Sequence, residues 1–434
     1  MGLRMQDRRL ASSRLAACAL ALASFVTPAR AVPPQAGGAL GSANVEFVAN
    51  IPDVGAIGGR ILGKTMYVTT LSGVRIYDVS LGIPVLQGAF ALPHVQNEDV
   101  DTNGSLLLVA ADHGAGARQT LYVFDVKNKN APLLLSQMAV PAAHTASCVL
   151  NCTYVWLGGD GGRVWVVNLT NPSAPKLSGS FSIGGQVHDV QVDAKGLAWI
   201  STGSGLWAYT PSKIYPTRPT FVTGTGDLDN DFIIHNSLRP YASAWRPATN
   251  WTTPMTPAEL ILLTEEDYIG PVEPPLGNGN CREDGAFQTA VYRQVGTMRG
   301  TYPLDAWNLG KGTLGTLGDK KGTPPVLCSS HYFGFRNNIA AVAWYEQGVR
   351  FLDVSKPKAI RQIGYWLPAE GAAWNAQFNG DYVYVFDAVR GLDVLKFNGK
   401  PGDKAVMAPH YNVAALTMPS HEWGYACRIP GVPD

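Results

Sequence analysis

A β-rich phrase recurs along this 434-residue chain, and the repeat limits its fold more than any other feature. The phrase reads VRIYDVSLGIPVLQGAFALP, LYVFDVKNKNAPLLLSQMAVP, VWVVNLTNPSAPKLSGSFSIGG and VRFLDVSKPKAIRQIGYWLP. In each copy a strand ends in Asp or Asn, a turn follows, and a Pro-bearing segment leads into the next strand. Hairpins of similar make run through the same stretch: KTMYVTT, SLLLVAAD, TYVWLGGD, LAWIST, NIAAVAWY and DYVYVFDA. Four strands, a to d, over roughly 40 residues are the signature of a propeller blade. The expected fold is all-β, a single seven-bladed β-propeller over 44–398. Its units lie near 51–92, 95–141, 144–184, 188–224, 235–310, 331–368 and 373–398. The last unit stops after strand c. The segment NVEFVANIP at 44–52 resembles a strand d without a unit of its own, so it is expected to close the last blade.

The fifth unit is long. His235 and His331 are 96 residues apart, where neighbouring units lie 43 to 47 apart. The excess over 236–330 is assigned to loops of one blade, with two blades, and eight in all, as the alternative. Long loops on a rigid scaffold are where function tends to reside. The phrases VRIYDVS…PVLQG and VRFLDVSKP…IRQIGYW, with the ending DYVYVFDAVRGLDVLKF, resemble the LVIVD-repeat family of secreted bacterial propellers over nearly all of 45–398. That resemblance implies a fold and an exported protein, and it implies little about activity.

The first 31 residues read as a signal peptide. Arg4, Arg8, Arg9 and Arg14 precede the apolar run LAACALALASFV, and Ala29-Arg30-Ala31 offers a small-residue cleavage site. A short linker, 32–43, follows. The expected location is secreted or periplasmic, with no transmembrane segment. Residues 1–31 hold five Lys/Arg and one Asp, so the remainder carries 29 basic and 32 acidic side chains. No basic excess speaks for nucleic acid. Five of the six cysteines lie beyond the signal. Cys148 with Cys152, and Cys281 with Cys328, are the preferred disulfides on proximity, which leaves Cys427 over. The segment 399–434 lacks a blade pattern and reads as a tail packing on the propeller.

Four histidines share one phase of the repeat: His144, His188, His235 and His331, each opening a strand a. Strand a lines the channel of a propeller, so equivalent positions should converge at one end of it. Converging imidazoles suit zinc or copper. The run Glu265-Glu266-Asp267, expected in a b–c loop at the same mouth, would add a carboxylate. The other reading is a hydrogen-bonded layer inherited by duplication. Asp112, Asp160 and Asp387 read as turn caps. Trp245, Trp251, Tyr268, Tyr302 and Trp307 near the long loops could form a glycan or peptide platform or cover the blade flank. No GxSxG, P-loop or HExxH is present. Two functions follow. One is an exported, monomeric binding scaffold for a protein, glycan or small-molecule partner. The other is a metal-dependent hydrolase, lyase or oxidase at the channel mouth.

Overall fold

Inner strands of this chain are apolar almost throughout, as sheets covered on both faces require. In Leu106–Ala111 and Ile339–Ala343 nearly every residue is buried, while outer strands such as Leu133–Ala139 are largely open to solvent. The computed structural model describes residues 40–53, 55–70, 73–92, 99–112, 119–225, 233–266, 285–314, 329–368 and 371–409. The expected signal peptide, Asp267, Tyr268, Cys281, Cys328, Cys427 and the tail beyond 409 lie outside them. Among the described residues the only helices are three short 3-10 turns, Ala242–Ala244, Pro257–Glu259 and Leu309–Lys311. No helix there is long and apolar enough to cross a membrane.

The strands form antiparallel sheets in a β-propeller arrangement. The first sheet runs Gly59–Leu62, Thr65–Thr70, Gly73–Asp78 and Val85–Ala91. The second runs Val100–Thr102, Leu106–Ala111, Thr120–Asp125 and Leu133–Ala139. Units three and four share one six-stranded sheet: Thr145–Val149, Tyr154–Asn168, Lys176–Val192, Ala198–Thr202, Gly205–Thr210 and Thr220–Gly224. The next sheet is Ile233–Leu238, Leu260–Glu266, Phe287–Val295 and Met298–Trp307, so the whole long unit is one blade. Phe333–Arg336, Ile339–Ala343, Val349–Asp353 and Arg361–Leu367 follow, with Leu40–Gly41 added at the outer edge. Ala373–Asn379, Tyr382–Asp387, Gly391–Phe397 and Val45–Ile51 make the last.

Seven separate blades, as expected from the repeat, are therefore not what the sheets show. Five blades stand alone, and the strand Lys176–Val192 joins units three and four. Its first part pairs with Tyr154–Asn168 and its last part, from Val187, with Ala198–Thr202. The physical reason is the missing d–a loop: the strand that ends unit three runs on as the strand that opens unit four.

Apolar faces of successive sheets meet around the ring. Leu260, Leu262 and Phe287 pack on Ala340, Val342 and Trp344; Ile339, Val349 and Phe351 pack on Val383, Val385 and Leu395. The ring closes where Ala49, Ile51, Tyr384 and Phe386 meet Met66, Val68 and Tyr77. At this seam a Cβ on Gly59 would stand 2.0 Å from the Phe386 ring, so the backbone needs glycine there. Val45–Ile51 pairs antiparallel with Gly391–Phe397, from Val45 opposite Phe397 to Ile51 opposite Leu392. The N-terminal strand closes the last blade as its pattern indicated.

Candidate metal centre

A β-bulge sets the direction of three of the side chains gathered here. Ladder registers shift between Val187 and Asp189, between Ile234 and Asn236, and between Ala373 and Asn375. The extra residues are His188, His235 and Trp374. One unpaired residue in an edge strand is re-aimed by its bulge, and repeat duplication has put that bulge at one height in three units. His144 stands just before its strand a, beside Gly159. That glycine has φ +102°, and a Cβ on it would lie 2.4 Å from the Cβ of His144. The GGDGG stretch, Asp160 included, lies within the strand Tyr154–Asn168 rather than in the expected capped turn, and its glycine lets the chain pass close to the imidazole.

The four rings form an arc. Centroids are 4.6 Å apart for His144 and His188, 4.2 Å for His188 and His235, and 3.9 Å for His235 and His331. Glu266 lies against three of them. Its Oε2 is 3.8 Å from the Nε2 of both His188 and His235, and its Oε1 is 3.7 Å from His331 Nε2. His188 Nε2 is also 2.9 Å from His144 Nε2. The cluster is more enclosed than an open channel mouth: His188, His235, His331 and Glu266 are at most 3% exposed.

Hydrogen bonds fix the tautomers. His188 Nδ1 donates to the carbonyl of His235 at 2.9 Å, and His331 Nδ1 donates to the carbonyl of Trp374 at 2.7 Å. A carbonyl can only accept, so in each neutral ring the Nε2 lone pair faces the cluster. Metal-ligating histidines are oriented in this way. His144 differs. Its Nδ1 is 3.3 Å from Asp112 Oδ2, a carboxylate rather than a carbonyl, and its Nε2 is 2.9 Å from His188 Nε2.

Glu265 and Glu266 end the strand Leu260–Glu266 rather than lying in a loop, which corrects the expected b–c turn. Alternation along that strand sends them apart. Glu265 Oε2 accepts from Ala286 N and Gln288 Nε2, both at 3.4 Å, and Glu266 alone joins the histidines.

Tyr345, which the repeat did not point to, donates its hydroxyl to Glu266 Oε1. It is 2% exposed and holds φ at +39°, a strained setting for an aromatic residue. The Trp374 ring stacks edge-on to both His331 and Tyr345, at 4.9 and 5.4 Å. His188, His235 and Glu266 bring their ligand atoms within 4.8 Å of one another. Around zinc at about 2.0–2.1 Å, tetrahedral ligand atoms sit roughly 3.3 Å apart. The Glu266 oxygens lie 3.7 to 3.8 Å from the three Nε2 atoms, a few tenths of an ångström wider than that value.

Other expected features divide. Cys148 and Cys152 are disulfide-bonded. Trp307 is core, and Trp245 stacks on Tyr292 at 5.2 Å, whereas Trp251 and Tyr302 are 37% and 50% exposed. Asp387 is the turn cap expected of it, its Oδ1 accepting from the backbone N–H of Ala372, Val389 and Arg390. Burial, and then the Asp393 charge, push its pKa up to about 6. An unfolded Asp ionises near about 3.9, so the folded state holds this proton more tightly. The stability it confers is complete below about pH 4 and is lost as pH rises through about 6. Asp387→Asn, which keeps the acceptor, should remove a pH-dependent loss on the order of 3 kcal/mol. Denaturant unfolding at pH 4 and pH 7 reads it, and identical profiles for the two proteins would contradict it.

No family model matches the chain, and no curated protein matches it. Solved structures do. The β-propeller domain of Myceliophteria thermophila Cps50 (Swd1) aligns with a TM-score of 0.54 at 9% identity, over 82% of this chain and 100% of that one. The likeness is one of fold alone. Kuenenia stuttgartiensis hydrazine synthase aligns at 0.55 and 10% identity, over 80% of this chain and 97% of that one. A chain of the mitotic checkpoint complex aligns at 0.50 and 10% identity, over 91% of this chain and 100% of that one.

Proposed function

We propose that this chain is an exported β-propeller that binds one transition-metal ion, zinc or copper, through His188, His235, His331 and Glu266, with His144 at the open side of the set. The observation that carries this reading is the convergence of three imidazole Nε2 atoms on one buried carboxylate, two of those rings being locked by Nδ1 bonds to carbonyls. The propeller body serves as an interaction scaffold around that centre, in keeping with a likeness to a chain of the mitotic checkpoint complex. Export agrees with the Cys148–Cys152 disulfide, since such bonds persist in oxidising compartments. Membership of the LVIVD-repeat family belongs to the same reading and rests on the strand-c phrases. A metal-dependent enzyme is the second reading. The Tyr345 hydroxyl on Glu266 favours it, because it sets a proton donor beside the proposed metal.

Metal binding here must displace protons. The Nε2 atoms of His188, His235 and His331 can bind an ion only when unprotonated, so protons compete with the metal. Titration of zinc into chelator-treated protein should therefore release more protons per ion near about pH 5.5 than near about pH 7.5, roughly one unit either side of the ordinary histidine value, read from the dependence of the binding heat on buffer ionisation. Affinity should fall as pH drops toward 5. Zinc binding that is absent, or independent of pH between 5 and 8, would refute the assignment.

A further inference from the structure

Below the histidine layer the first strands of the blades enclose a cavity of about 260 Å³, smaller than most pockets for drug-sized ligands. Arg60 and Leu62 line it, and their side-chain and residue exposures of 43% and 47% mark where it reaches the surface. Its polar wall is acidic. Asp99 lines the cavity, with Asp101 and Asp189 nearby, against a single cation, Arg60, which pairs with Asp101 at 3.5 Å. Burial raises the pKa of Asp99 well above the carboxylate range, and the charges of Asp189 and Asp101 raise it further.

An independent feature points the same way. Ser237 and Asn375 line the cavity and are 2% and 3% exposed, yet Ser237 Oγ and Asn375 Oδ1 have no hydrogen-bond partner among the described residues. Asn375 Nδ2 is turned to the Gly59 carbonyl, so the oxygen is the idle atom. The amide of Gln377 is spent on Gly59 O and Ile61 N, and the Thr102 hydroxyl on Leu106 O. Acceptors are what remain, together with the Asp99 carboxyl, whose Oδ2 accepts from the Ala146 N–H at 3.0 Å and whose ionised form a bound cation would favour. Phe335 and Phe378 supply an apolar wall for a hydrocarbon stem.

We infer that this channel cavity binds a small aliphatic amine, its ammonium group held by Asp99 and Asn375 Oδ1 and its stem against Phe335 and Phe378. The inference stands apart from the metal reading, because none of these residues is a proposed ligand. Calorimetry with putrescine as the probe, and the uncharged 1,4-butanediol as control, tests it on chelator-treated protein. Putrescine should bind, butanediol should bind at least about tenfold more weakly, and Asp99→Asn should weaken putrescine by about tenfold or more. Ser237→Ala, a milder change, should weaken it several-fold, and His188→Ala should leave it unchanged. No binding to folded wild-type protein, equal binding of butanediol, or full affinity in Asp99→Asn would overturn the inference. So would binding that needs added zinc, since the amine would then be a metal ligand.

Discussion

Removal of residues Val45–Ile51 should lower the melting temperature by about 10 °C or more and drive the protein to aggregate. This strand is the outer member of the last blade, and without it the hydrogen-bonding groups of Gly391–Phe397 become an open edge. The loss goes beyond the ladder. Ala49 and Ile51 are 3% and 2% exposed in the cluster that joins the last blade to the first, and Phe47 stacks on Trp366 at 5.2 Å. Asn50 Nδ2 donates to Asp393 Oδ1 at 2.8 Å, a side-chain bond across the ladder to the residue opposite it. Asn50→Ala should cost only about 1 kcal/mol, so the two variants separate the bond from the seam. A deletion variant that melts with the wild type would show that the ring does not depend on this closure.

The second large effect is expected at the histidines. His188→Ala and His331→Ala should each reduce zinc or copper affinity by more than about 100-fold, beyond the 10- to 100-fold typical of losing an outer-shell partner. Each removes a nitrogen whose direction the backbone has fixed through Nδ1. Tyr345→Phe should weaken binding less, because it removes only a hydrogen bond to the ligating carboxylate. Glu265→Gln should leave affinity unchanged, since that carboxylate turns to Ala286 and Gln288. Comparable metal affinity in Glu265→Gln and His331→Ala would dismiss the proposed ligand set.

Much of this was legible in the repeat. Equal phase placed four histidines at one height because successive units repeat the same strand positions, and the lone strand at 44–52 matched the missing outer strand. Three things were not legible, each for a physical reason. Whether Glu265 or Glu266 faces the histidines depends on how far strand b runs before it turns, and two adjacent carboxylates look alike until then. Tyr345 sits in a non-repeating connection at a φ that no propensity favours. The union of units three and four turns on Gly184 and Gly185, at the boundary where the repeat ends one unit at 184 and opens the next at 188. At φ +89° and +71° they lie within the continuous strand Lys176–Val192.

The central claim, that the histidine arc is a metal centre, is tested most directly by elemental analysis of the purified full chain, expressed with export in medium containing both zinc and copper. About one equivalent of zinc or copper per chain is predicted, falling to background in His188→Ala and in His331→Ala while both variants keep the wild-type circular dichroism spectrum. Well-folded wild-type protein free of both metals, or variants that retain a full equivalent, would contradict it.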